Sequence, residues 1–379
     1  MKKTVLGAAV IVLAACGGGE AQPTTPTTMT SASVAPPTTA SAPASATSVT
    51  APPAKLPLAD LMKKNMADSD AAWAAHDAKK LSATYADDVV MSMPTPMGWM
   101  DAKKADIETQ MGQLYTGFPD CKATATRVFS KGNAAIVESV FTGTNTGAMM
   151  GKPATGKKTG YHAIMINTYN DDGMVKTQHV YYDHATMFGQ LGMGDPKAKV
   201  RAVENAPAGA PAMIASKDSP DEAKAIDAVR AWYGTFEKKD EKGFLGPLAD
   251  DVMHLDYSQA ADLKGKDAAK KEWTETFKAF PDAKVAPSNV WAFDTFVVAE
   301  YAMTGTMKGS LGPIKPTNKG GTWHGVDVFE MKNGKVGAVE TYASMMETAN
   351  AVGVPMPAAP AAAPVKDAPK PATPATPKK

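Results

Sequence analysis

Cysteine is almost missing from this chain, with two residues, Cys16 and Cys121, among 379. That excludes a framework of internal disulfides, so the fold must rest on buried apolar surface. Aromatic residues are few, at 7%, and none lies between Gly17 and Lys55. An excess of one charge is lacking too. The 40 Lys and Arg stand against 39 Asp and Glu, interspersed through the folded parts, for a net charge of +1. The basic stripe that nucleic-acid binding requires is therefore missing. Long hydrophobic runs are also missing, since the apolar stretch Val5 to Ala15 falls well short of the ~20 residues that span a bilayer.

That short stretch has another use. Lys2 and Lys3 precede it and Leu13-Ala14-Ala15-Cys16 closes it, an arrangement that resembles a bacterial lipoprotein signal over residues 1–16. The resemblance implies that Cys16 is diacylated, becomes the mature N-terminus and anchors the protein to a membrane of the cell envelope. Gly17 rather than Asp follows the cysteine, which by the same resemblance points to the outer membrane, facing the periplasm. Residues 17–55 are almost entirely Thr, Pro, Ala, Ser and Gly and cannot bury enough apolar area to offset the entropy of ordering. They are expected to form a disordered tether with a reach on the order of 100 Å. Residues 355–379, rich in Pro, Ala and Lys, are expected to be a disordered tail.

What the chain has in quantity is repetition. Phe118-Pro119-Asp120 and Thr142-Gly143-Thr144 return as Phe280-Pro281-Asp282 and Thr304-Gly305-Thr306, both 162 positions on (280 − 118 and 304 − 142). Asp87-Asp88-Val89 matches Asp250-Asp251-Val252, Glu138 matches Glu300, and Tyr161-His162 matches Trp323-His324. One module is present twice, over 56–192 and 220–354, each large enough to bury its own core. Residues 193–219, rich in Pro, Ala, Lys and Gly, read as a flexible linker with a reach of roughly 30 Å. Such a tether favours intramolecular pairing of the modules, with a homodimer as the other arrangement open to them.

Each module reads as helix, helix, then strands. Leu58, Leu61, Met62, Met66, Trp73, Leu81 and Tyr85 follow a helical stripe broken near Asp77, and Ile226, Val229, Trp232, Tyr233 and Phe236 follow one more regularly. A second helix carries Ile107, Met111, Leu114 and Tyr115, matched by Trp273, Phe277 and Phe280, and Pro119 and Pro281 end these helices. Alternation then predicts strands over 124–130, 134–144, 160–169 and 174–183. Turns fall at Lys131-Gly132-Asn133, Asp171-Asp172-Gly173 and Lys332-Asn333-Gly334. The order implies an α+β fold of two tandem cone-shaped modules, each a curved antiparallel sheet wrapped on about three helices.

The segment from Thr142-Gly143-Thr144-Asn145-Thr146-Gly147 to Gly156-Lys157 follows Phe118-Pro119-Asp120 and precedes Asp183 and Gln190-Leu191-Gly192. Together these residues resemble the SnoaL-like polyketide cyclase family, of the nuclear transport factor two-like superfamily, over most of the first module. The second module keeps the frame but not the loop and reads as a degenerate copy. The resemblance implies an apolar pocket inside the cone. It also implies that Asp183 matches the acid/base that moves a proton beside a carbonyl. Where the family cyclases carry a loop histidine, this chain has Asn145.

Alternation along the last strand puts Val175, Thr177, His179, Tyr181 and Asp183 on one face, with Lys176 and Gln178 on the other. On a concave face, Asp183 and His179 would form a catalytic proton-transfer pair beside the phenol of Tyr181. The alternative is that Asp183 caps the turn from Thr186 to Gln190. The matched face of the second module reads Val336, Ala338, Glu340, Tyr342 and Ser344. Because Ser344 replaces Asp183, chemistry is assigned to the first module and a partner role to the second. His162 and His324 share apolar strand faces and, with Tyr181, Asn145 and Tyr342, complete the candidate ligand-binding set. Glu138 and Glu300 are expected to face solvent or pair with a lysine, and Cys121 to be a buried apolar residue.

Two further patterns fail. Gly151 to Lys158 approaches a phosphate-binding loop, but Lys158 stands where Ser or Thr must be, and no helix follows. His179, Asp183 and His184 cannot converge on a metal because His184 points to the opposite face. No metal or cofactor is therefore expected. These readings converge on an envelope-anchored lipoprotein whose first module binds a small apolar ligand without catalysis. Two alternatives stay open: a cyclase- or isomerase-type enzyme using Asp183 as general acid/base, and a protein-assembly module with no small ligand.

Overall fold

A computed structural model describes residues 56–149, 151–311 and 314–354. The expected signal, Cys16, the tether and the tail lie outside the described residues. The first module begins with α1 (Leu58–Ala74) and α2 (Ala78–Ser82). They separate where the Asp77 carboxylate accepts from Lys80 N at 2.9 Å and caps the second helix. There follow β1 (Tyr85–Thr95), β2 (Gly98–Ala102), α3 (Lys104–Gly117), β3 (Lys122–Lys131), β4 (Ala134–Thr144), β5 (Lys158–Tyr169), β6 (Val175–Tyr182) and α4 (His184–Gln190). After β7 (Ala212–Ala215), the second module repeats the order with α5 (Pro220–Lys238), α6 (Glu241–Leu245), β8 (Leu248–Asp256), β9 (Leu263–Lys264) and α7 (Lys266–Ala279). It closes with β10 (Lys284–Phe293), β11 (Phe296–Thr306), β12 (Gly320–Lys332), β13 (Lys335–Ala343) and α8 (Met345–Ala351).

The fold is α+β and built twice, but it departs from expectation in three ways. A strand pair precedes the second long helix of each module, so Tyr85 opens β1 instead of extending the helical stripe. The sheets are mixed, because β1 lies parallel to β6 and β8 parallel to β13. The strand orders are β2-β1-β6-β5-β4-β3-β7 and β10-β11-β12-β13-β8-β9. The connecting segment is not a free linker either. Gln190 Nε2 donates to the carbonyls of Arg201 and Ala202, both at 3.1 Å, Glu204 N bonds Gly160 O at 3.0 Å, and β7 adds to the edge of β3.

The most conserved-looking feature between the copies is architectural. Asp120 accepts from both the backbone N and the hydroxyl of Thr144 at 2.7 Å, and Asp282 does the same for Thr306 at 2.7 and 2.6 Å. Each pair pins the loop after the second long helix to the end of a sheet strand. Phe118 and Phe280 end their helices and pack their rings against Gly143 and Gly305, where a Cβ would stand 3.2 Å away.

A bulge decides which residues face inward. In β6 the pairing runs from Thr168–Thr177 to Tyr169–Val175, skipping Lys176, and β13 skips Gly337 in the same way. An extra residue in one strand reverses the alternation beyond it. Val175 thus packs inside the first cone with Tyr85 and Tyr169, whereas His179 and Tyr181 face outward. The outer faces of the two sheets meet there. Phe129, Ile136, Ile164, Ile166 and Tyr181 of the first module form one buried core with Tyr257, Phe293, Val298, Val326, Val328 and Tyr342 of the second.

Candidate functional site

The residues singled out on β6 and β13 belong to this junction and do not converge on a pocket. His179 Nδ1 lies 2.5 Å from Glu300 Oε1, and Tyr181 donates to the same oxygen at 2.6 Å. Asn289 completes the set by donating to Glu300 Oε2 at 2.8 Å. At the related position Tyr342 donates to Glu138 Oε1 at 2.7 Å. The Arg127 guanidinium spans both Glu138 oxygens and reaches Glu340 at 2.5 Å. Glu138 and Glu300 are therefore not at solvent; they are 0% and 3% exposed. Their mid-strand position was legible, but the face they share was covered by the other copy. His162 stacks on Tyr257 with ring centroids 3.9 Å apart, and His324 lies 4.3 Å from Trp99 and 2.8 Å from Glu347. Both histidines bridge the modules.

Asp183 sits at the N-cap of α4. It accepts from Ala185 N at 3.3 Å, from Thr186 N and Thr186 Oγ1 at 2.7 Å, and from Met345 N of the second module at 3.0 Å. Burial raises its pKa to about 6 against the pull of these donors. Asn145 is occupied by its own loop, donating to Gly117 O and Gly147 O at 3.1 and 3.0 Å and accepting from Thr155 N at 2.8 Å. Its buried amide ties this loop together.

The interior of the second cone carries what the junction does not. A cavity of about 180 Å³ lies between α5, α6, α7 and the inner face of the sheet. Its walls are the rings of Trp232, Phe236, Phe244, Trp273 and Tyr301. Across it runs a chain of polar groups. Glu272 Oε2 lies 2.7 Å from His254 Nδ1, and His254 Nε2 lies 3.0 Å from Thr341 Oγ1. The Thr341 hydroxyl then donates to Asp327 Oδ1 at 2.7 Å, and Tyr233 donates to Asp327 Oδ2 at 2.7 Å.

Since the one hydroxyl proton of Thr341 goes to Asp327, His254 Nε2 must donate to Thr341, and Nδ1 must donate to Glu272. His254 is therefore an imidazolium. Burial would lower its pKa, but the charge and hydrogen bond of Glu272 overcome that and hold it at about 9. Burial raises Asp327 to about 6 despite its two hydroxyl donors. Asp256, next along the inner face of β8, is also raised by burial. Its Oδ1 accepts from Ser258 N and Oγ at 2.9 and 2.7 Å. Among the described residues, no group of three His, Cys, Asp or Glu side chains could hold a metal ion.

The positions matching His254, Asp256 and Asp327 in the first cone are methionines. By strand pairing, Met91 faces Gln178 as His254 faces Val339, and Met165 faces Val180 as Asp327 faces Thr341. Met93 then corresponds to Asp256, and Met111 to Trp273. Met62 and Met91 are buried in the first cone with Met66, Met93 and Met111 packed against them. Flexible thioether side chains suit such gap filling. The buried polar groups lie in the copy read as degenerate. The signal was present in the sequence, at the inner positions of the repeat rather than along the last strand.

Comparison with known proteins agrees with the duplicated fold. The SnoaL-like polyketide cyclase family matches residues 66–191, and the SnoaL-like domain family matches residues 229–339. No curated protein matches. Among solved structures, a Jannaschia protein described as a SnoaL-like polyketide cyclase is 18% identical, with a TM-score of 0.35 over 37% of this chain and 99% of its own. A Xanthomonas campestris protein described as a polyketide cyclase is 24% identical, with a TM-score of 0.33 over 35% of this chain and 98% of its own. An LEH-like epoxide hydrolase of M. tuberculosis is 15% identical, with a TM-score of 0.30 over 35% and 92%. The chain is a tandem of two SnoaL-like domains, one within each of its two cones.

Proposed function

We propose that the protein is an envelope-anchored binding protein for a small, largely apolar molecule, held in the cone of the second module. The observation that carries this reading is the aromatic cavity of about 180 Å³ with a few convergent polar groups, the usual make-up of a ligand site. An apolar cavity of ~150 Å³ accommodates benzene, so the ligand is a compact one. A polycyclic polyketide would not fit. The first module, filled by methionine, serves as the structural partner whose sheet covers the outer face of the second. Anchoring follows from the lipoprotein-like signal ending at Cys16.

A second reading rests on the polar chain. Asp327, with a pKa of about 6, is poised to exchange a proton with a bound molecule near neutral pH, which would make the second module an isomerase-type catalyst. Asp183 supports that role less well, because it caps α4 at the junction with Met345 of the second module and does not line the cavity.

Native mass spectrometry of the protein purified from its own host tests the binding site. A discrete small-molecule adduct is expected, and Val252→Trp, which fills the cavity, should abolish it. An adduct retained by Val252→Trp would move the site elsewhere. In the same preparation Cys16→Ser should remove the diacyl mass and release the protein from membranes; an unchanged mass would sink the anchor.

A further inference from the structure

Resting on that reading of the second cone, the charges lining the cavity narrow the ligand class. Three carboxylates, Asp256, Glu272 and Asp327, face one imidazolium, His254. The imidazolium is matched by Glu272 at 2.7 Å, and Asp327 is held by two neutral hydroxyls. Asp256 takes its hydrogen bonds from Ser258 on Oδ1 alone; among the described residues nothing donates to its Oδ2. The site therefore carries surplus negative charge with no cation of its own to balance it. Around that charge stand the faces of Trp232, Phe236, Trp273 and Tyr301, whose π systems attract cations in a desolvated setting. A neutral ligand would cover Asp256 without pairing it, which is costly, and an anion would be repelled.

We propose that the second cone selects a small organic cation, a primary or substituted ammonium on an apolar body of about benzene's size, with Asp256 as its counter-ion. Positively charged nitrogen would lie at the carboxylate end of the cavity and the apolar body against the rings. The first cone offers no such site, since Met91, Met93 and Met165 stand where His254, Asp256 and Asp327 do in the second.

Calorimetric titration of the full chain at pH 7.5 with benzylamine, benzyl alcohol and benzoate separates charge from shape. Benzylamine should bind at least about tenfold tighter than benzyl alcohol, and benzoate should not bind measurably. Asp256→Asn should bring benzylamine down to the affinity of benzyl alcohol. If benzyl alcohol or benzoate matches benzylamine, the charge selection is wrong while the binding site stands. If none of the three binds, the site itself fails. Because the ligand series needs no variant, a poorly folding Asp256→Asn would not leave the question undecided.

Discussion

At the scale of single residues, Asp183 opposes the fold it caps. Unfolded, it ionises near its ordinary value of 3.8, whereas burial moves it to about 6 in the folded chain. Between those pH values the folded state keeps a proton that the unfolded state has lost. Stability is therefore full below about pH 4 and falls as pH rises through 6, by about 3 kcal/mol for two pKa units. Asn caps a helix as well as Asp does and carries no charge to desolvate. Asp183→Asn should flatten the fall in unfolding free energy between pH 4 and 6, with a pH-independent cost because an amide NH2 replaces an oxygen that accepts from two donors. Urea denaturation across that range checks it; Asp327, also near 6, will leave a residual slope. A variant with the full parental slope would show that Asp183 is not its source.

At the scale of elements, the repeated motifs are joints. Gly147 and Gly309 occupy equivalent loop positions where a Cβ would stand 1.9 Å from the carbonyl oxygens of Thr116 and Lys278. Backbone cannot yield to that contact cheaply, so Gly309→Ala should cost about 2–4 kcal/mol. Gly112, inside α3 with nothing within 4 Å of its Cβ position, provides the contrast: Gly112→Ala should gain about 0.5–1 kcal/mol. Thermal unfolding of the two variants decides, and equal effects would undo the argument. The same joints explain what was legible in the chain. Phe-Pro-Asp, Thr-Gly-Thr and Asn333-Gly334, the latter pair with φ of 52° and 74°, mark helix ends and turns by local chemistry. Long helices and hairpins followed from them. The parallel strand ahead of α3 was not legible, because its pairing with β6 is non-local and Asp87-Asp88 interrupts its apolar alternation. The facing of the β6 residues was misjudged for a related reason. Counting by twos along β6 passes through the bulge at Lys176, so His179 and Tyr181 were assigned to the inside of the cone when they line its outside.

At the scale of the whole molecule, the two buried glutamates are compensated by different means. Glu138 leans on Arg127 from its own module, and Glu300 on His179 from the other. The hydrogen bond to Glu300 raises the His179 pKa. This contribution to stability is complete below about pH 6.5 and is lost as pH rises through the folded value. Arg127→Met would leave buried Glu138 and partly buried Glu340 without their shared cation, at a cost of about 3–5 kcal/mol. The double variant Arg127→Met with Glu138→Gln should recover a large part of that. Urea midpoints of the parent, single and double variants measure it, and a double variant no better than the single would mean that Arg127 acts by packing alone. The exchange of Arg127 for Asn289 and of His179 for Glu340 at related positions has a consequence for molecules in a crowd. Two second modules meeting face to face would bring four carboxylates together with no cation, and two first modules would set surplus arginine and histidine against two glutamates. Only unlike halves match, so neighbouring chains are steered away from like-with-like mispairing.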